Sequence, residues 1–347
     1  MSKQIIKQVV GIDVAQKELV VTLGRMYDDW TPELYSHQVF ANNTKGFGTL
    51  VTWVKKQSVA EVPIQFVMEA TGIYHEALAY YLDENSLPVS VVLPNKISNY
   101  FRSLTIKTVT DKTASQAIAR FGLERKVDLW KRPLPIFKRL KQLTRERNQL
   151  VDTRTIMKNQ LHAETSEAEP NPGTVSRIKK QIVFLNKQEL EIKEDIKQVV
   201  SQEPKVQAAV DLISSIPGIG ELTAITILAE TNGFELIRNK RQLASYAGLD
   251  VKEKQSGTSI KGKPRISKQG NKFLRRAMHL PALSAIRHDE RFKAVFARLV
   301  GRHGIKMKAA VAIQRKLLEM TYILFKTNTV YDKTYLQQLQ TAETIKN

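Results

Sequence analysis

An aspartate interrupts an apolar run close to the start of the sequence. Residues 9–15 read Val-Val-Gly-Ile-Asp-Val-Ala, and the β-branched residues around Asp13 favour a buried strand. Gly11 lets another backbone or a phosphate approach closely. An ionised carboxylate in such a strand is costly unless it is paired or binds a metal ion. Asp13 is therefore a candidate metal ligand, although a strand-end aspartate that only caps a turn would have the same sequence.

Two further carboxylates stand where a fold could bring them close to Asp13. Glu69 follows the apolar run at residues 63–68, and Asp111 precedes a predicted helix over residues 113–123. Mg²⁺ takes hard oxygen ligands and leaves positions for phosphate and water. Two such ions about 4 Å apart can stabilise both the attacking and the leaving oxygen of an in-line displacement. The three acidic residues would lie on the first strand, at the end of a central strand and on the last helix of the domain. This arrangement resembles that of an RNase H-type fold, as in Holliday-junction resolvases.

A second kind of chemistry is possible at Ser256. A serine hydroxyl in a cationic loop could attack a phosphodiester and store the bond energy in a phosphoserine link. Basic groups would stabilise charge on the transferring phosphoryl group. The basic residues near this serine are Lys252, Lys254, Lys261, Lys263 and Arg265. Thr258 and Ser259 compete for the role, and a polar loop residue without chemistry is the alternative.

Glycines and basic residues of the C-terminal half form a candidate nucleic-acid interface. Residues 216–220 read Ile-Pro-Gly-Ile-Gly between two predicted helices, which is typical of a helix-hairpin-helix turn that binds phosphate through N–H groups. A tight helix–helix turn without a ligand is the alternative. Residues 252–276 contain nine Lys or Arg and one acidic residue. The residues assigned to the interface are Gly218, Gly220, Lys252, Lys254, Lys261, Lys263, Arg265, Lys268, Lys272, Arg275 and Arg276.

The composition favours a protein that binds nucleic acid. The 347 residues carry a net charge of +20, so a polyanion such as double-stranded DNA or RNA is the expected partner. Cysteine is absent from the sequence, which excludes disulfides, thiolate metal sites and a cysteine nucleophile. No signal-peptide pattern and no apolar run of about 18 residues is present, so a cytoplasmic protein without a membrane partner is expected. A structural nucleic-acid binder would share this composition.

The pattern of elements predicts an α/β plus all-α protein. Strands and helices alternate over residues 1–126, beginning with a hairpin of residues 8–14 and 18–23. Heptad spacing on both sides of a Pro/Gly break predicts a helical hairpin, either a coiled coil or two ordinary packed helices, that mediates self-association or separates two domains. The predicted domains are 1–126 (RNase H-like), 127–204 (coiled-coil linker), 205–330 (mostly helical) and a tail at 331–347.

The motifs, taken in order, resemble those of one transposase family. They are GIDVAQK, MEATGIY, TDKTASQAIARFG, IPGIGELTA, YAGLD, QSG and RISKQGNKFLRRA, between about residues 8 and 320. They are similar to motifs of the DEDD transposases of the IS-one-ten insertion-sequence family, also called bridge-RNA-guided recombinases. The resemblance implies a resolvase-like N-terminal domain, a coiled-coil linker and a C-terminal transposase domain.

The resemblance also implies roles for single residues. Asp13, Glu69 and Asp111 match the family's first three acidic residues, and Ser256 matches its catalytic serine. The fourth acidic residue falls at Ala114, one helical turn after Asp111, so impaired activity is expected. Because the flanking residues fit the family pattern well, an engineered Asp→Ala change is the favoured interpretation; a natural variant and a degenerate copy stay open.

Together these observations predict a site-specific DNA recombinase of a bacterial or archaeal mobile element, which cleaves and rejoins DNA strands. The resemblance implies a homo-oligomer, a dimer or tetramer, in which Ser256 of one subunit meets the acidic residues of another. It also implies a non-coding guide RNA that pairs with donor and target DNA. Two other functions stay open: a Holliday-junction-resolving nuclease that uses a metal-activated water, and a non-catalytic nucleic-acid binder.

Overall fold

The chain divides into two compact units, Met1–Arg132 and Pro133–Asn347. The computed structural model describes residues 3–70, 72–104, 108, 110–253, 255–256, 260–261 and 265–332; at 255–256 and 260–261 it describes the backbone alone. No helix among these residues is long and apolar enough to cross a membrane. The three predicted domain boundaries stay a prediction.

A five-stranded mixed sheet lies at the centre of the first unit. Its strands are β1 (Ile5–Val14), β2 (Glu18–Tyr27), β3 (Pro32–Ala41), β4 (Ile64–Glu69) and β5 (Val89–Val92). In the order β3-β2-β1-β4-β5, β1 runs antiparallel to β2 and parallel to β4. The predicted β1–β2 hairpin is confirmed, and its ladder continues to Tyr27, beyond the apolar residues that marked it in the sequence.

Helices cover both faces of this sheet. They are α1 (Thr44–Gln57), α2 (Glu76–Glu84), α3 (Pro94–Ser103) and α4 (Asp111–Glu124). Because side chains alternate along a strand, Val10 packs with α1 and α2 while Val9 packs with α3 and α4. The sequence did not predict α3, since Pro94 read as the end of a strand. In the structure Pro94 is the first residue of the helix, where a missing N–H costs little.

Two long antiparallel helices begin the second unit. They are α5 (Pro135–Thr165) and α6 (Pro172–Ser201), so the predicted helical hairpin is confirmed and the coiled coil stays a prediction. Arg147 and Arg154 occupy positions that the heptad pattern assigns to the core, and both donate hydrogen bonds to the buried Glu189 of α6. The arginines are accommodated because this carboxylate lies opposite them.

The rest of the second unit is mostly helical. Its helices are α7 (Pro204–Ser214), α8 (Glu221–Thr231), α9 (Lys240–Tyr246), α10 (Lys272–Ala277), α11 (His279–His288), α12 (Glu290–His303) and α13 (Lys306–Thr327). The first turns of α5 and the last turns of α6 share one hydrophobic core with these helices, through Leu140 and Ile196 among others.

The sequence of residues 273–286 predicts a single helix with a kink at Pro281, and the structure corrects this prediction. The break comes at Met278, between α10 and α11, and not as a kink at Pro281. Pro281 is the third residue of α11, in the first turn, where no N–H of the helix needs an intrahelical acceptor. Residues 287–316, which the sequence predicts to be a second basic helical stretch, are likewise interrupted by Gly304, which adopts φ +69° after α12.

Candidate functional site

Asp13 and Glu69 lie side by side at the ends of two parallel strands. The β1–β4 ladder pairs Gly11 with Val67 and Ile12 with Met68, and the two acidic residues follow these pairs directly. Both side chains are partly buried and leave the sheet on the face that α4 covers. The sequence placed Glu69 just after its strand, whereas it is the strand's last residue.

Helix α4 lies directly on β1, and its direction brings its first turn towards Asp13. A Cβ atom on Gly11 would stand 2.5 Å from the carbonyl oxygen of Ser115. A Cβ atom on Gly122 would stand 2.8 Å from Cγ1 of Val9. The helix therefore runs antiparallel to β1. Gly11 is required for this close approach of helix and strand. The sequence suggested that either another backbone or a phosphate comes close to Gly11, and the structure shows the backbone of α4 there.

Asp111 is the first residue of α4 and is exposed. The helix is capped by its neighbours: Thr110 Oγ1 accepts from the N–H of Thr113 at 3.2 Å, and Thr113 Oγ1 accepts from the N–H of Thr110 at 2.8 Å. A carboxylate in the first turn is favoured by the helix dipole but does not have to act as the cap here. Helix capping therefore does not explain why residue 111 is an aspartate.

The three carboxylates act on one another electrostatically. Burial, and to a smaller extent the negative charges of Asp111 and Glu69, raise the pKa of Asp13 to about 6, while a hydrogen bond from the backbone of Val14 acts in the opposite direction. The β1–β4 register places Asp13 beside Glu69, and the antiparallel packing of α4 on β1 brings the first turn of the helix, with Asp111, towards them. The sequence-predicted acidic residues are therefore brought together at one end of the sheet.

The chemistry of this set fits a hard divalent cation, but the set is short of a ligand. Carboxylate oxygens are the donors that such ions take, and a cation would offset the mutual repulsion of the carboxylates. Within the described residues, no group of three Asp, Glu or His side chains is arranged closely enough to hold a metal ion. Ala114, partly buried one turn after Asp111, contributes no donor atom.

Sequence reasoning missed the polar side chains that hold the frame of this site. The hydroxyl oxygens of Thr22 and Ser115 are buried and 2.8 Å apart, which joins β2 to α4. Asn42 Nδ2 donates to the carbonyl oxygens of Ala15 at 2.8 Å and Tyr74 at 3.2 Å, and so ties the turn after β1 to the segment after β4. A single sequence carries no signal for such pairs, because the partners are far apart along the chain.

Ser256 belongs to a β-arm in the second unit. The arm, residues 251–266, contains β6 (Val251–Lys252) paired with β9 (Arg265–Ile266), and β7 (Gln255–Ser256) paired with β8 (Ile260–Lys261). Lys254, Gly257, Thr258, Ser259 and Lys263 lie outside the described residues, as do the side chains of Ser256 and Lys261. The predicted cationic surroundings of the serine hydroxyl stay a prediction.

The base of the arm carries two exposed cations opposite each other. Lys252 and Arg265 are cross-strand partners in the β6–β9 pair. Like charges directly opposite on neighbouring strands are destabilising, and a bound anion would offset this cost. The position suits a phosphate group.

The two glycines of the 216–220 turn have different environments. Gly218 adopts φ +87°, and a Cβ atom there would stand 2.4 Å from the carbonyl oxygen of Pro281, so the glycine is required for packing on α11. Gly220 is the exposed N-cap of α8, and a Cβ atom there would meet nothing within 4 Å. The turn does join two helices; phosphate binding by it stays a prediction, and Gly220 is the better placed of the two.

The remaining basic candidates differ in whether their side chains are held by hydrogen bonds within the protein. Arg275 donates to the carbonyl oxygen of Ala247 at 2.8 Å, and Arg276 forms a bidentate pair with Asp152 at 2.5 and 2.7 Å. Lys268 and Lys272 are exposed at either side of the turn that leads into α10. The two lysines are therefore the more accessible phosphate ligands.

Two family models match the chain. A family model of DEDD transposases of IS110-type elements matches residues 10–168, which include Asp13, Glu69 and Asp111. This is the family, written IS-one-ten above, that the sequence motifs resemble. The model described as "Transposase IS116/IS110/IS902 family" matches residues 210–297, which include Ser256.

Similar proteins cover nearly the whole chain. The pilin gene-inverting protein of Moraxella lacunata is 29% identical over 332 residues, 94% of this chain and 98% of that protein. The transposase for insertion sequence element IS1111A of Coxiella burnetii is 23% identical over 357 residues, 93% of this chain and 91% of that protein. Among solved structures, Thermus thermophilus RuvC in complex with a Holliday junction substrate is similar over 35% of this chain and 99% of its own, with 10% identity and a TM-score of 0.27.

Proposed function

Since the chain belongs to the IS110-type transposases, we propose that it is a site-specific DNA recombinase that excises and inserts a mobile element by cleaving and rejoining DNA strands. The observation that carries the proposal is the acidic cluster: Asp13 and Glu69 end neighbouring parallel strands under the first turn of α4, and the charge of Asp111 adds to theirs. The cluster lies at the carboxyl ends of β1 and β4, where Asp111 is exposed and Asp13 and Glu69 are only partly buried, so a polyanionic substrate could reach it.

Asp13, Glu69 and Asp111 are the carboxylates that would contribute to a Mg²⁺ site, although the described arrangement of these three does not form one by itself. When bound, the ion would stabilise charge on the phosphate oxygens and on the leaving oxygen during strand cleavage. Asp13 has to lose its proton before it can act as a ligand, so with its pKa raised to about 6 protonation would compete with ion binding below that pH. The position of Ala114 leaves the set one carboxylate short, so we propose that this chain is catalytically impaired.

Ser256 is the proposed nucleophile. Its Oγ atom would form a bond to phosphorus while the phosphodiester bond to the leaving sugar oxygen breaks. The hydroxyl proton would pass to solvent, and the leaving oxygen would take up a proton in turn. The phosphoserine link preserves the energy of the broken bond, so a second sugar hydroxyl can reverse the step and rejoin DNA. Lys252 and Arg265, paired at the base of the arm, would bind the phosphate backbone beside it.

Rejoining separates this proposal from simple cleavage. The Moraxella relative is named for inverting a gene, and inversion requires that cut strands be joined again. Similarity to it over 94% of the chain therefore favours a recombinase over a resolving nuclease that uses a metal-activated water. The proposal includes a guide RNA, and the net charge of +20 suits binding of both DNA and RNA. It also includes a homo-oligomer in which Ser256 of one subunit meets the acidic cluster of another.

The missing carboxylate favours one alternative, a non-catalytic nucleic-acid binder. Trapping a covalent protein–DNA adduct distinguishes all three functions. The chain with Ala114→Asp, incubated with Mg²⁺, element-end DNA and any co-purifying RNA, should form an adduct that Ser256→Ala abolishes. A nuclease would release cut DNA without an adduct, and a binder would retain intact DNA. Sequencing of the co-purified RNA tests the guide directly.

A further inference from the structure

The segments at both ends of the arm are tied to each other. We call them, residues 246–250 and 267–271, the stem. Three N–H groups of the returning segment donate to carbonyl oxygens of the leaving one: Ser267 to Asp250 (2.8 Å), Lys268 to Gly248 (3.1 Å) and Asn271 to Tyr246 (2.7 Å). The hydroxyl of Ser267 also donates to Oδ1 of Asp250 at 2.5 Å. The stem is thus a hydrogen-bonded base that joins the two ends of the arm.

A fully buried carboxylate anchors this stem. The side chain of Glu230, in α8, has 0% relative exposure. Arg145 of α5 donates to both of its oxygens, at 2.7 and 2.9 Å. Asn271 of the stem donates from Nδ2 to Oε2 at 2.7 Å, and Tyr246 donates from its hydroxyl to the backbone oxygen of Glu230 at 3.0 Å. One glutamate therefore connects two helices and both segments of the stem.

Asn271 connects this anchor to the helix that follows. Its Oδ1 accepts from the N–H groups of Phe273 and Leu274, both at 3.0 Å, and so caps α10. The guanidinium of Arg145 also lies over the ring of Phe273, 4.4 Å from its centroid. A buried carboxylate is costly unless its partners stay in place, so the stem cannot shift without a large loss in these contacts.

We propose that Glu230, Arg145 and Asn271 are positioning residues of the recombination site. They fix the stem, and the stem fixes the direction from which the arm presents Ser256 to a phosphodiester. Displacement of a reacting group by about 1 Å can lower a rate about 100-fold, so a nucleophile carried on this arm needs a rigid base. This inference rests on the proposed function, because only there is Ser256 the nucleophile.

Hydrogen exchange in the chain as it stands tests the anchor without any assay of activity. Glu230→Gln keeps the shape of the side chain and removes the charge that pairs with Arg145. Asn271→Ser keeps a capping oxygen and is too short to reach Glu230. The control is Glu189→Gln, because Glu189 is also buried and also paired with arginines but has no contact with the stem.

The amides of Ser267, Lys268 and Asn271 should exchange about tenfold faster, or more, in Glu230→Gln and Asn271→Ser than in Glu189→Gln. If only one of the two variants folds, the other gives the comparison. Equal protection of these three amides in the test and control variants would overturn the proposal.

The second measurement is the rate of adduct formation, in the Ala114→Asp background with saturating DNA. Glu230→Gln should slow the adduct about tenfold or more with DNA affinity unchanged, whereas Glu189→Gln should keep the parent rate. An adduct that persists in Ser256→Ala would contradict the proposed nucleophile. An adduct that depends on Ser256, but forms as fast in Glu230→Gln as in Glu189→Gln, would contradict the positioning role and leave the proposed function intact.

Discussion

Asp13 and Glu69 directly follow Ile12 and Met68, the last paired residues of the parallel β1–β4 ladder, so their carboxylates leave one face of the sheet as neighbours. Asp111 adds its charge from the first turn of α4. With no cation, this arrangement is electrostatically unfavourable. The fold tolerates it because the cluster lies at strand ends, where solvent partly screens the charges.

The cost of the acidic cluster should be visible as a pH dependence of stability. The pKa of Asp13 is about 6 in the folded state and about 4 when unfolded, so the folded state binds more protons between these values. Stability from this group is present at low pH and is lost as the pH rises through 6. Asp13→Asn should therefore raise the free energy of unfolding by about 1 kcal/mol at neutral pH, a figure reduced for solvent screening.

Urea unfolding of the parent chain and of Asp13→Asn, at several pH values between about 4 and 8, measures this difference. The advantage of the variant should shrink as the pH falls through 6 and approach zero below about pH 4, where Asp13 becomes protonated in both states. An advantage that stays constant over the whole range would show that Asp13 is not the titrating group.

The packing of α4 on β1 gives a prediction that does not depend on function. Gly11→Ala places a methyl group 2.3 Å from the backbone nitrogen of Ala119, so the first unit should lose about 2–3 kcal/mol of stability. Gly48→Ala is the control, since the atom nearest to a Cβ there is the hydroxyl oxygen of Tyr81 at 3.6 Å and alanine favours the helix. Chemical denaturation of both variants decides; equal stabilities would mean that α4 does not lie on Gly11.

Prediction from the sequence worked best for repeating patterns and for features that neighbouring residues determine. The long heptad pattern predicted α5 and α6, and the resemblance to an RNase H-type fold predicted that Asp13 and Glu69 come together. Local rules failed where one residue is compatible with two structures, as with Pro94, because a proline can follow the end of a strand or begin a helix. They also failed for long-range polar pairs: Arg145 and Glu230 are 85 positions apart, and neither carries a sign of its partner.

Binding of nucleic acid should depend steeply on salt. The exposed cations Lys252, Arg265, Lys268 and Lys272 would displace counterions from phosphates. Affinity for duplex DNA should fall by about 100-fold or more between about 50 and 200 mM salt, measured by fluorescence anisotropy. Charge reversal at Lys268 and Lys272 together should lower the slope of log affinity against log salt; an unchanged slope would place the interface elsewhere.

Self-association can be tested on the outer surface of α6. Val183, Phe184 and Leu190 are 67%, 59% and 61% exposed, which is unusual for large apolar side chains on a helix. If the hairpin mediates oligomerisation through them, Phe184→Glu should lower the mass measured by light scattering while thermal stability of the subunit is retained. Gln181→Glu adds the same charge to an exposed position of the same helix and should leave the mass unchanged. Equal masses for both variants would exclude this surface.

The last prediction concerns Ala114. Residues three apart share one face of a helix, so an aspartate at this position would stand beside Asp111 and face the ends of β1 and β4. A fourth carboxylate increases repulsion in the metal-free protein, and Mg²⁺ would offset it. Ala114→Asp should therefore lower thermal stability slightly in EDTA and make it rise more steeply with Mg²⁺, because the ion binds the folded state preferentially.

The same variant should gain Mg²⁺-dependent strand cleavage and exchange, where the parent chain binds nucleic acid but recombines poorly or not at all. Ala114→Asn is the matched control: it has the size of aspartate but no charge, so it should bind DNA without gaining cleavage or the response to Mg²⁺. Full activity in the parent chain, or an asparagine variant that equals the aspartate one, would show that the fourth acidic position lies elsewhere. A gain confined to aspartate would identify one missing carboxylate as the reason for the impairment.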